Sequence, residues 1–248
     1  MSETPESPEK PNTIGLLSAM SRLKHQPVDS AGLNPRLATL RAWQARRLAH
    51  SYADLLAHER YAPACQFFLD DLYAARDFAQ RDHDMLQMHA LLKRYVPKVL
   101  LEPLTLTVTV HALTERLDQA MCAMLFDEMG VTGDLTSAQY SQAYRRCDNY
   151  PERLEQIDLI YRVGQLLEGV VKQPLTGASL ALLAVPARRA GWEDLTGFLE
   201  RGFKAYKHLR GARPFLELVR RRETEYLDRI YSGDEDPYEM LGTGAGQA

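Results

Sequence analysis

An all-α fold is what this sequence predicts: a single antiparallel multi-helix bundle with disordered N- and C-terminal tails. Three observations carry the prediction. Apolar residues recur every three to four positions along most of the chain, helix-start and helix-stop residues fall between those runs, and the one alternating segment has no partner strand. Asn34-Pro35 opens the first helix as N-cap and first helical residue, and Leu37, Leu40, Leu48 and Leu55 carry it to about Arg60. Pro63 opens a second. Asp77 with Gln80 has capping-box spacing ahead of Phe78, Met85, Met88 and Leu92, a run that ends at Pro97. Residues 104–110 alternate like a strand, but Leu106, Val110, Leu113, Leu117, Met121 and Met124 form one helical stripe, so a helix over about 100–129 is expected, with Pro103 in its first turn or at a kink. Thr136 with Gln139 repeats the capping pattern. Pro151 starts a helix closed by Gln173-Pro174, Thr176 caps a shorter one ending at Gly191, and helices at about 193–210 and 213–231 flank Gly211 and Pro214. Short connections favour one bundle over two domains.

The ends, 1–12 and 232–248, are rich in Pro, Gly and acids and are expected to be disordered, which leaves 13–231 as the helical domain. Most of the chain's acidic excess lies in those ends, at Glu3, Glu6, Glu9, Asp234, Glu235, Asp236 and Glu239, so the intervening chain is mildly basic. At 248 residues a single unit would bury roughly 70–75% of its unfolded surface, enough for a sizeable core. Three scattered cysteines, Cys65, Cys122 and Cys147, make neither a disulfide framework nor a CxxC zinc pattern, which points to a reducing cytoplasm. The N-terminus lacks the basic-then-apolar order of a signal peptide, and no apolar run is long enough to cross a bilayer.

The most informative stretch is Phe67-Phe68-Leu69-Asp70-Asp71-Leu72-Tyr73, two adjacent carboxylates inside an aromatic and aliphatic block. Acids so placed need either a constrained packing site or a binding surface. In an α-helix Cys65, Phe68, Leu69 and Leu72 would share one face, with Phe67 and Asp70 pointing away and Asp71 and Tyr73 between them. On the packing reading the apolar residues are core, and Asp70 or Asp71 meets an arginine from another helix, Arg47 or Arg222 being the candidates. On the binding reading Phe67, Phe68, Asp70, Asp71, Tyr73, Asp77, Arg81 and Asp82 border a pocket or a partner surface.

This stretch resembles the signature of an uncharacterised family of bacterial proteins with a Phe-Phe-Leu-Glu-Glu-Leu-Tyr motif, here with Asp-Asp in place of Glu-Glu. Each acid is one methylene shorter than in that motif. The resemblance is carried by about residues 60–85 and implies no activity, substrate or cofactor.

Other chemistry is less specific. His111, Glu115, Asp118 and Cys122 share a helical face at metal-ligand spacing, but no Glu-x-x-His or His-Glu-x-x-His occurs, so His111, Glu115 and Asp118 are weak metal candidates and no cofactor is implied. Gly177-Ala178-Ser179 lacks the second glycine of a nucleophile elbow, and the Gly242–Gly246 run has no strand before it. No catalytic motif was found. Residues 188–222 are basic, with Arg201, Lys204 and Lys207 on one face, yet contain no DNA- or RNA-binding motif. Met85, Met88, Met121, Met124 and Met129 are adaptable core fillers that could also shape an apolar ligand site. The expectation is a cytoplasmic helical binding or protein-interaction module, with a protein partner or a homodimer and no membrane or nucleic acid. The alternatives are an enzyme or a metal- or apolar-ligand-binding bundle of unrecognised type, and weak polyanion binding through 188–222.

Overall fold

Asn34 and Pro35 start the first helix as their chemistry requires: the Asn34 side chain accepts from the Arg36 N–H at 3.0 Å, and Pro35 sits where a missing donor costs nothing. In the computed structural model this helix, α1, spans Pro35–Ser51, and the structure describes residues 34–72, 83–87, 89, 98–173, 176–189, 191–234 and 237–238. There follow α2 (Ala53–Leu56), α3 (Ala62–Phe67) with a π-helical continuation Phe68–Leu72, and α4 (Lys98–Cys122) with a π-helical continuation Ala123–Glu128. The rest are α5 (Ser137–Arg146), α6 (Tyr150–Val171), α7 (Thr176–Arg189), α8 (Glu193–His208) and α9 (Arg213–Ser232). All regular structure among the described residues is helical. The expected helix start at Asp77, like motif residues Tyr73, Asp77, Arg81 and Asp82, lies outside the described residues.

Three local expectations are corrected. α1 ends at Ser51 rather than near Arg60, because Tyr52 leaves helical geometry (φ −117°, ψ 19°) and donates its hydroxyl to Glu223 on α9 at 2.7 Å. Thr176 does not cap α7; its hydroxyl donates back to the Val170 carbonyl at 2.7 Å and ties α7 to the end of α6. Composition placed the C-terminal boundary at 231, yet Tyr238 is buried against Trp43, Tyr140 and Tyr226, so the packed unit extends past it. The Thr136–Gln139 capping box is present, and the alternating 104–110 segment lies inside α4. Pro103 sits in the second turn of α4, where the Thr107 hydroxyl donates to the Pro103 carbonyl at 2.8 Å.

Residue pairs fix the antiparallel arrangement. Along α4 and α6, Leu117 faces Arg153 and Thr114 faces Gln156; along α6 and α9, Tyr150 meets Asp228 and Asp158 meets Arg220. Arg36 reaches Asp127 while Arg41 reaches Asp118, so α1 runs against α4. Arg60 reaches the Leu209 carbonyl while Asp71 meets Arg201, so α3 runs against α8. Helices α1, α4, α6 and α9 thus surround one interior, and α3 with α8 closes its side. α6 packs closely on α9 and α8 at Gly164, where an added Cβ would lie 2.4 Å from Leu216 Cδ2 and 3.1 Å from the Tyr206 hydroxyl. Gly164→Ala is expected to cost about 1–3 kcal/mol through overpacking, read as a lower urea midpoint at unchanged slope.

Candidate functional site

The FFLDDLY motif divides between two environments. The π-helical turn inserts an extra residue, which rotates Asp71 inward from the intermediate position an α-helix would give it. Asp71 is buried and receives Arg201 of α8 through both nitrogens of a guanidinium fork, Nε–Oδ2 at 2.9 Å and Nη2–Oδ1 at 2.5 Å. Phe67, expected to point away from the core, lies against α8, its ring 5.3 Å from that of Phe198 and packed on Gly202. The Arg201 bond holds its own pKa above the usual arginine value. Asp70 is exposed and accepts from Gln66 Nε2 at 2.9 Å. Phe68 and Leu69 turn the other way, into the bundle interior.

Neither arginine candidate meets the motif acids. Arg47 donates to Glu223 at 2.8 and 3.1 Å, because its place on α1 faces α9, and the Tyr52 hydroxyl completes the Glu223 site. Arg222 donates to both oxygens of Asp54 at 2.8 and 2.6 Å, because its face of α9 looks toward the α1–α2 corner. The arginine that meets Asp71 is Arg201, one of the basic residues of the 188–222 segment, and its Phe-x-x-Arg spacing to Phe198 is the sequence signal that marks it. Asp71→Ala is expected to lower stability by about 1–2 kcal/mol, since a charge-assisted bond is lost but half-exposed Arg201 regains water. Guanidinium denaturation of the variant against wild type measures this.

Between α1, α4, α6 and α9 lies a cavity of about 190 Å³. Its two ends differ in character. Where α6 begins and α9 ends it is bounded by Gln44, Arg47, Asp118, Tyr140, Tyr144, Arg153, Tyr226 and Tyr238; toward α3 it is bounded by Leu48, Cys65, Phe68, Leu69, Phe215, Leu216 and Val219. The polar end is an aromatic enclosure: the Arg153 guanidinium stands 4.3 Å from the centre of the Tyr144 ring, and Arg47 lies 5.7 Å from the rings of both Tyr226 and Tyr238.

The arginines at this interior are not equivalent. Arg222 and Arg153 are each only 4% exposed. Arg222 has a carboxylate; Arg153 makes no ion pair among the described residues, and the one hydrogen bond its guanidinium makes there is a long 3.5 Å contact from Nη2 to the Leu117 carbonyl. Arg153 Nε and the Tyr226 hydroxyl are buried without a hydrogen-bond partner among the described residues. Arginine does not shed its proton in a protein, so this charge must be met in some other way.

The face proposed for metal also reaches this cavity, at His111, Glu115 and Asp118. Glu115 is held by Arg41 Nη2, and Asp118 by Arg41 Nε at 3.3 Å and Gln44 at 3.1 Å; among the described residues no group of three or more His, Cys, Asp and Glu could hold a metal ion. Burial pushes the Asp118 carboxyl above its usual range despite these donors. Burial likewise pushes the Cys65 thiol up to about 12 and Cys122 to about 11. Neither is a thiolate at neutral pH, and native protein is expected to react with iodoacetamide far more slowly than urea-unfolded protein, followed by mass spectrometry. Much of the basic 188–222 segment is matched by acids: Arg188 by Glu200, Arg201 by Asp71, Arg213 by Glu217, Arg220 by Asp158 and Arg222 by Asp54.

Fold and cavity together define an all-helical protein with an amphipathic interior chamber. The chain belongs to the family described as a domain of unknown function (DUF8198), which matches residues 23–237. Comparison with curated proteins and with solved structures finds no match. No helix among the described residues is long and apolar enough to cross a membrane.

Proposed function

We propose that this protein binds a small amphipathic molecule inside the bundle, between α1, α4, α6 and α9. The observation that carries the reading is the cavity itself, about 190 Å³ with one polar and one apolar end. Engineered apolar cavities of about 150 Å³ take up benzene, so this chamber has room for a body of that size with a head group attached. Ligand sites in helical bundles are built this way, from side chains of facing helices around a largely apolar interior with a few polar groups. Phe68 and Leu69 give the motif a place in the reading: its aromatic half closes the apolar end, while Asp71 fixes that wall to α8. We take the chain to be a relative of the bacterial FFLEELY-motif proteins acting in the cytoplasm, on the strength of FFLDDLY and the scattered cysteines.

Native mass spectrometry of protein purified under mild conditions tests the reading. A small-molecule adduct that is lost on denaturation is the expected result. A monomer of bare chain mass, with no uptake of benzyl alcohol at millimolar concentration, would count against it.

A further inference from the structure

We propose that the polar end of the cavity receives the carboxylate of a small monoanionic acid with an apolar body, and that Arg153 is the cation that meets it. This rests on the reading of the cavity as a ligand site and names what the ligand carries. Arg153 is nine-tenths buried at the cavity wall, lacks an ion pair among the described residues, and leaves Nε without an acceptor. A buried guanidinium with unused donors is costly unless something supplies acceptors, and a carboxylate matches its planar fork through two parallel bonds.

The neighbouring charges are already committed. Arg41 holds Glu115 and Asp118, and Arg47 holds Glu223, so none of these acids serves Arg153 and neither of these cations competes for the ligand. Asp118 contributes to the field at Arg153 without reaching it, which favours a single added negative charge and opposes a dianion such as phosphate. The buried Tyr226 hydroxyl, also at the cavity wall and without a hydrogen-bond partner among the described residues, is a second polar group available to the head group. Phe68, Leu69, Phe215 and Leu216 at the other end would enclose the apolar body.

Isothermal titration of the full chain with benzoate, benzyl alcohol and inorganic phosphate, repeated on Arg153→Gln, tests this. Benzoate is expected to bind wild type about 10- to 100-fold more tightly than benzyl alcohol, the range of one charge-assisted contact. In Arg153→Gln benzoate loses far more affinity than benzyl alcohol, so that preference disappears. If benzoate and benzyl alcohol bind both proteins equally, the carboxylate assignment is overturned and the cavity reading survives. Phosphate binding more tightly than benzoate overturns the assignment as well. Failure of every probe to bind wild type at millimolar concentration overturns both. Arg153→Lys, which keeps the charge but loses the fork, guards against a misfolded glutamine variant: it is expected to retain a reduced preference, and an undiminished one would contradict recognition through the fork.

Discussion

Asp54→Ala is expected to cost the fold about 3–5 kcal/mol, because it leaves Arg222 charged and buried with no carboxylate. The magnitude follows from asymmetry rather than from the worth of the pair. Asp54 and Arg222 share two short bonds, and Arg222 also contacts the Ser51 carbonyl at 3.4 Å and lies 5.6 Å from the centre of the Tyr52 ring. Removing both charges with Asp54→Leu and Arg222→Met should restore most of the loss, since a buried pair exchanged for apolar groups is often close to neutral. The pair also has a pH signature. The Arg222 bond holds the Asp54 carboxyl below its ordinary value, with burial opposing. Its contribution is therefore complete above the unfolded carboxyl range and fades as pH falls through the lower folded value. Urea unfolding of wild type and Asp54→Asn from neutral pH downward measures this, and the difference between them should shrink in acid. A constant difference would show that the two charges are not coupled.

Arg153→Met is expected to move stability the other way, raising it by about 1–3 kcal/mol in the absence of added ligand. Both arginines are equally buried, so burial alone predicts the same loss for each. What separates them is the partner: Arg222 leaves Asp54 behind when it is removed, whereas Arg153 leaves only a long contact to the Leu117 carbonyl and the face of Tyr144. Methionine fills similar space without a charge to solvate. Residues that cost stability where they stand are commonly those that function holds in place. Paired thermal and urea unfolding of Arg153→Met and Arg222→Met gives the comparison directly. Two losses of similar size would mean that Arg153 has structural work to do.

Much of the fold was legible because it rests on local chemistry. Asn34-Pro35, Thr136 with Gln139, Pro151 and the stripe from Leu106 to Met121 each determine a helix with little help from distant residues. The places that were misread are those where a distant partner decides. Tyr52 breaks α1 because Glu223, far along the chain, takes its hydroxyl. Asp71 turns inward because a π-helical turn rotates it toward Arg201. Tyr238 sits in a stretch whose composition says tail, and its ring fills a space among Trp43, Tyr140 and Tyr226.

The candidate site was harder to read for the same reason. Phe68, Leu69, Glu115 and Asp118 drew notice, but as a family label and as metal candidates rather than as walls of one chamber. Arg153 gave no local signal, since it follows Pro151 and Glu152 like any first-turn residue. Its lack of an ion pair among the described residues exists only in three dimensions.

The most direct measurement is a crystal structure of the protein grown with 4-bromobenzoate, with the bromine located by anomalous scattering. The carboxylate should lie on the Arg153 guanidinium, and the bromine should lie at the apolar end beside Phe68, Leu69 and Phe215. Bromine found only on the outer surface, with Arg153 contacted by water alone, would contradict the account.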